Sequence, residues 1–453
     1  MKKTTQKPSG ATAKAAAKKS VASKSSAKKS VATSAPKRVV RSAKKAASKK
    51  TAAPRGKASA ARQPIRFAHP FYTTVPKAER AVVPGVGTSL TDYIKGKLYP
   101  IPAPTRTTPF TLPEIIGQPG TDEIQAAGSI LFHTCGDTGR GADTPQGLVA
   151  AAMETDFNIA KPAVSPAFFF HLGDVIYGQD KDARYLAEFY QPYVHYPGKI
   201  VAIAGNHDGE IIPKTDPDSL HAFLANFCAP SQTVPPVAGT IFRETMNQPG
   251  VYYLLDAPFV QIVALYSNAA ENPGFISGTI PGTAQKTWLL RTLQSIAALR
   301  AQGTRKALVI ATHHPPFTAG GHSPSTEMLQ DIDSVCQQAG ILPDLYLSGH
   351  AHSYQRYTRE VTAGGKTVQI PYVVVGTGGI NDQAVKPATG ARTGDHIYVS
   401  SFKGYGYMLV EVSPATITGT AYTVDQSSGA KTLFETFTVD LVHSTVKTVT
   451  AHG

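Results

Sequence analysis

From about residue 125 onward, short apolar runs alternate with longer segments of helical periodicity. The apolar runs predict strands at 129–134, 167–172, 200–204, 251–255, 260–266, 307–312, 345–347 and 372–375. Helices are predicted at 145–159, 182–190, 283–299 and 325–339. In the third of these, Leu289, Leu293 and Ile296 recur at spacings of four and three, which marks one buried stripe. Near the C-terminus, 407–412, 416–423 and 432–439 read as short antiparallel strands. The pattern predicts an α/β layered body with a sheet-rich C-terminal portion.

Upstream the pattern is different. Residues 63–120 are punctuated by Pro70, Pro76, Pro84, Pro100, Pro102, Pro104, Pro109 and Pro113, so extensive regular structure is not expected there. Phe67, Phe71, Tyr72, Tyr93 and Tyr99 lie between the prolines, and the stretch reads as an extended arm packed on the body. Residues 1–62 contain no Phe, Tyr, Trp, Leu or Ile, and are expected to be disordered because they cannot bury enough apolar area to offset ordering entropy. The body is expected to occupy 121–445.

Charge divides along the same boundary. The chain has 45 Lys and Arg against 31 Asp and Glu, a net of +14, yet residues 1–62 hold 19 of the basic residues and no acid. The remainder, with 26 basic and 31 acidic residues, carries −5. Blocks such as Ala27-Lys28-Lys29-Ser30 resemble, in composition, the tails of linker-histone-type proteins. Such a tail is suited to nonspecific binding of DNA, RNA or another polyanion, and equally to a merely solubilising role.

Three widely spaced cysteines, Cys135, Cys228 and Cys336, form neither a disulfide framework nor a zinc-knuckle pattern. No stretch of about 18 apolar residues predicts a membrane span. Lys2 and Lys3 are followed by polar residues instead of an apolar export segment, so a cytoplasmic location is expected.

Chemistry concentrates just after the predicted strands, where an α/β fold opens its binding crevice. These positions carry Gly136-Asp137-Thr138-Gly139, Gly173-Asp174-Val175-Ile176-Tyr177, Gly205-Asn206-His207-Asp208, His313-His314-Pro315-Pro316 and Gly349-His350-Ala351-His352. One Gly-Asp after a strand is an ordinary turn. Five clusters in succession, each at a strand terminus, are not explained that way, and oxygen donors combined with imidazoles suit first-row cations.

The ordered series GDxG, GDxxY, GNHD, HxP and GHxH resembles the calcineurin-like metallophosphoesterase superfamily, and within it the purple acid phosphatases, over residues 128–415. Gly139 two places after the first Asp, with Tyr177 three places after the second, distinguishes that subfamily from relatives with His at the first position. Protein Ser/Thr phosphatases differ too, with GDxVDRG and GNHE. The resemblance implies a two-sheet sandwich flanked by helices and a dinuclear metal centre that hydrolyses phosphate monoesters by attack of metal-bound hydroxide. Asp137, Asp174, Tyr177 and His352 would hold one ion, ferric iron on the phenolate. Asp174, Asn206, His313 and His350 would hold a divalent Fe, Zn or Mn, with Asp174 bridging. Phosphodiesterase or nucleotidase activity of the same fold is the nearest alternative, and a nucleic-acid-binding protein on a phosphoesterase scaffold is the other.

His207 of GNHD would lie on the substrate side and protonate the leaving group. Asp208 either orients it or forms a turn. His322, nine residues beyond His313, is a second candidate acid or else a solvent histidine in a Gly-rich loop, and His314 is a further neighbour. His133 and Cys135 alternate along a strand and read as packing residues.

Overall fold

The computed structural model describes residues 97–451, so the basic tail and residues 63–96 of the Pro-rich arm lie outside the described residues. In chain order the strands are β1 (Phe110–Thr111), β2 (Ile130–Cys135), β3 (Phe168–His171), β4 (Lys199–Ala202), β5 (Tyr253–Asp256), β6 (Val260–Ala264), β7 (Ala307–Ala311) and β8 (Leu345–Ser348). They continue with β9 (Tyr354–Ala363), β10 (Lys366–Val375), β11 (Arg392–Thr393), β12 (His396–Phe402), β13 (Gly406–Val412), β14 (Thr416–Val424), β15 (Lys431–Asp440) and β16 (Thr445–Ala451). The helices are α1 (Leu112–Ala127), α2 (Pro145–Glu154), α3 (Lys181–Tyr185, continued by a wider turn over Leu186–Tyr190), α4 (Asn206–Gly209), α5 (His221–Phe227), α6 (Ala284–Ala301) and α7 (Thr326–Ala339).

Two mixed sheets result. One runs β1-β5-β6-β7-β8-β10-β9-β12-β11 and the other β16-β15-β14-β13-β2-β3-β4. β6, β7 and β8 are parallel to one another, as are β2, β3 and β4. Adjacent residues on the parallel strands divide between two cores, as a side-chain period of two requires. Ile262, Val309, Ala311, Leu345 and Leu347 pack between the sheets with Phe132, Phe168 and Phe170. Their neighbours Val263, Leu308, Ile310 and Tyr346 face outward onto α6 and α7, where Leu289, Leu293 and Ile296 form the predicted stripe. Full burial of each such Leu or Ile is worth about 1.5 to 3 kcal/mol. The architecture is therefore the expected two-sheet sandwich with helices on its outer faces.

A buried ion pair also joins the sheets. The Arg356 guanidinium on β9 donates to both carboxylate oxygens of Glu435 on β15, at 2.9 and 2.8 Å. The Tyr354 and Ser400 hydroxyls each donate to Glu435 Oε1 at 2.6 Å, so the charge is satisfied on every side.

α1 departs from the expectation of little regular structure before 120. Pro113 sits in the first turn, where its missing N–H is no loss, and Gly117 at φ 82° kinks the chain just ahead of Pro119. Preceding α1, the arm runs irregularly, with Ile101 N–H donating to Pro281 O (3.2 Å) and Thr105 N–H to Pro249 O (2.7 Å). Among the described residues, no helix is long and apolar enough to cross a membrane.

Candidate metal centre

Parallel direction within each half brings the carboxyl ends of β2, β3, β4, β7 and β8 to one edge of the sandwich. The loops that follow bond to one another: Asp137 N–H donates to Gly173 O (2.9 Å), Thr138 N–H to Asp174 O (3.1 Å) and Gly349 N–H to His313 O (2.9 Å). At Gly205 an added Cβ would fall 2.1 Å from Asp174 Oδ1, so only glycine lets the third loop close on the second. Asp137, Asp174 and His350 hold φ of 61°, 52° and 68°, a left-handed conformation that costs non-glycine residues on the order of 1 kcal/mol or more each and clusters at functional sites.

Every residue expected to hold metal lies at this edge. Oxygen donors Asp137, Asp174, Tyr177 and Asn206 come from the seven-stranded sheet, and imidazoles His313, His350 and His352 from the nine-stranded one. Ligand atoms of Asp174, His313 and His350 all lie within 4.8 Å of one another, and all three residues are buried. Beside them, the Tyr177 hydroxyl is 3.4 Å from Asp137 Oδ1, and His352 Nε2 is 3.6 Å from the same oxygen.

The hydrogen bonds show what this arrangement requires. His313 Nδ1 is committed to Leu172 O at 2.8 Å, which turns Nε2 toward Asn206 Oδ1 at 3.1 Å and Asp174 Oδ2 at 3.3 Å. Likewise His352 Nδ1 donates to Asn381 O at 2.8 Å, leaving the Nε2 lone pair toward Asp137. Buried lone pairs converging in this way are tolerated only around a positive charge. A proton on His313 can serve in part, and a metal ion serves fully.

The titration behaviour follows. Burial pushes Asp137 up to about 8, against the attraction of His313 and with the repulsion of Asp174. For Asp174, burial is outweighed by the His313 and His207 cations, and its pKa falls. Burial likewise opposes protonation of His313, but the Asp174 and Asp137 charges raise it to about 9. Burial and neighbouring imidazoles push His350 well below the ordinary range and His352 to about 4. Neutral imidazoles are the form that ligates metal.

A cleft of about 310 Å³ opens over the cluster, lined by Tyr177, His207, Glu271, His322 and Gln383 among others. His207 Nδ1 lies 3.1 Å from Glu210 Oε1, and its pKa is raised well above the ordinary range because Asp174, Glu210 and Glu271 outweigh burial. His322 is buried, not solvated, between Asn272 and Gln383 at 3.0 Å each. Asp208 makes no hydrogen bond to His207; it accepts the N–H groups of Gly205 (2.8 Å) and Val175 (3.2 Å), tying two loops together. His314 is structural, bonded to Ser267 Oγ and Ala270 O, both at 2.7 Å. His133 packs on the far face, bonded to Tyr196 and Asp156.

Sequence reading missed the wall residues Glu271 and Gln383, and Asn272, which bonds His322 at 3.0 Å. The one available signal was position: Glu271 lies in the loop after β6, a parallel strand ending at the same edge. Gln383 lies in the loop after β10, which runs parallel to β8 and ends at the same edge, so it shared that signal at a greater distance along the chain.

Residues 132–354 match the calcineurin-like phosphoesterase family, and the chain carries a domain of that family. Within it the chain is similar to Probable purple acid phosphatase 20 of Arabidopsis thaliana, 23% identical over 239 residues, which are 50% of this chain and 50% of that protein. The chain thus spans about half the length of the curated relative it matches. Among solved structures it is similar to purple acid phosphatase PPD1 from yellow lupin (Lupinus luteus), with TM-score 0.48, 14% identity and coverage of 75% of this chain and 55% of that one. It is also similar to PhoD, with TM-score 0.48, 14% identity and coverage of 78% and 74%.

Proposed function

We propose that the protein is a dinuclear metal-dependent phosphohydrolase acting on phosphate monoesters. The observation that carries this reading is the convergence of buried lone pairs from Asp174, Asn206, His313 and His350 beside a second set from Asp137, Tyr177 and His352. The first set, amide oxygen and imidazole with one carboxylate, suits a divalent Fe, Zn or Mn; the second, with its phenol and carboxylates, suits a ferric ion. Asp174 lies between the sets and serves both. Metal ions held there would supply an activated water nucleophile and neutralise charge at phosphorus.

The remaining chemistry belongs to side chains. His207 opens on the cleft with Nδ1 3.1 Å from Glu210 Oε1, a carboxylate that favours its protonated form, and is suited to pairing with a phosphoryl oxygen and to protonating a departing alkoxide. His322, buried with a strongly lowered pKa, is suited to accept or orient a hydrogen bond and not to supply a proton.

Metal analysis and hydrolysis of p-nitrophenyl phosphate by wild type and Asp174→Ala test the reading. Wild type should carry two ions per chain, and the variant should lose both together with activity. Two ions and near-normal turnover in Asp174→Ala would defeat it.

The tail carries a separate part of the proposal. Its 19 positive charges without an acid, beside a remainder of −5, favour nonspecific retention of nucleic acid or another polyanion through counterion release. Deleting residues 1–62 should abolish retention on DNA at low salt and leave ester turnover intact. Retention that survives the deletion would overturn it.

A further inference from the structure

Glu271 lies in the loop after β6, with a side chain 11% exposed, and lines the cleft. Its carboxylate reaches three site residues at once. Oε2 accepts from Asn206 Nδ2 at 3.1 Å and lies 3.8 Å from His207 Nε2; Oε1 lies 3.6 Å from His322 Nδ1. Neighbouring bonds hold the loop in place: Tyr99 N–H donates to Asn268 Oδ1 (2.9 Å), His314 Nε2 pairs with Ala270 O (2.7 Å) and Gly274 N–H donates to Ser325 Oγ (3.0 Å).

Asn206 is an ambiguous ligand. Its amide ends in an acceptor on one side and a donor on the other, and only the oxygen can face a cation. An ionised carboxylate accepts and cannot donate, so Glu271 can pair only with the amide nitrogen. The oxygen is thereby turned the other way, where it meets His313 Nε2 at 3.1 Å.

We propose that Glu271 is a positioning residue that fixes the Asn206 amide with its oxygen toward the cation site of Asp174, His313 and His350. The proposal rests on the dimetal reading above. Partners that orient a ligand in this way are worth 10- to 100-fold in metal affinity.

The test is titration of metal-free, full-length protein with Zn²⁺ in competition with a chromophoric chelator, for wild type, Glu271→Ala and Glu271→Gln. In Glu271→Ala, affinity for one of the two ions should fall about 10- to 100-fold while the other is unchanged. Glu271→Gln keeps an acceptor oxygen but adds a donor that can pair with the Asn206 oxygen, so its affinity for the same ion should fall between wild type and Glu271→Ala. Thermal midpoints of the metal-free proteins should coincide; if Ala lowers the midpoint, Glu271→Val serves as the second truncation. Unchanged affinity for both ions in the truncated variant overturns the proposal and leaves the dimetal reading standing. Loss spread equally over both ions also overturns it, since the effect would then not run through the one ion that Asn206 faces. Wild-type protein that binds no Zn²⁺ overturns both.

Discussion

A Cβ on Gly139 would stand 2.3 Å from Cδ2 of Tyr177, so the absence of a side chain at one position creates the space for the phenol ring at the other. The two residues act as one structural unit. Gly139→Ala should displace Tyr177 from Asp137 without disturbing the sheets. In iron-loaded, oxidised protein this should abolish the visible phenolate band as completely as Tyr177→Phe does, which an absorption spectrum reads directly.

His207 touches the cleft and is bonded to Glu210, outside the proposed ligand set. His207→Ala should therefore retain both metals and lose about 10² to 10⁴ in rate. The loss should be smallest on aryl esters, whose leaving groups need little protonation. Equal losses on aryl and alkyl esters would remove the residue from the acid role.

Glu435 is 0% exposed and paired with Arg356, which is 1% exposed. Glu435→Gln should cost about 3 to 5 kcal/mol in denaturant unfolding, because a buried guanidinium is left without its counter-charge. Replacing the pair together, Arg356→Met with Glu435→Leu, should recover much of that. A double variant as unstable as the single one would show that packing, not charge, is at stake.

Burial holds His133 neutral and lowers its pKa below 6.5, despite the hydrogen bond to Asp156. A lowered folded pKa means that the stability is present above about 6.5 and is lost as pH falls below it, when the unfolded chain takes up the proton first. Between pH 7 and 5 the wild type should lose more stability than His133→Gln, by at most about 2 kcal/mol. Parallel slopes in the two proteins would contradict this.

The site was legible in the sequence because each ligand follows a largely buried strand, and such strands, among them the fully buried Phe168–His171 and Ala307–Ala311, announce themselves as apolar runs. Only half of the β9–β10 hairpin shows in the sequence: the apolar run predicts a strand at 372–375, but the register from Lys366↔Ala363 to Val375↔Tyr354 includes exposed outer residues that show no apolar run. Its Gly364-Gly365 turn, with φ of 56° and 77°, was the unused signal. The cleft wall was less legible still. Glu271 and Gln383 owe their positions to loop packing and have no local pattern to betray them.

The separation of donors between the sheets has a consequence for assembly. Neither layer alone holds a complete coordination set: one lacks nitrogen and the other lacks oxygen. Sliding one layer against the other by a single strand residue, about 3.3 Å, would exceed the tolerance of any metal–ligand bond. Ion occupancy would thus behave as an interlock, achieved only when the layers have docked in register. A misassembled chain would be catalytically silent instead of indiscriminately reactive.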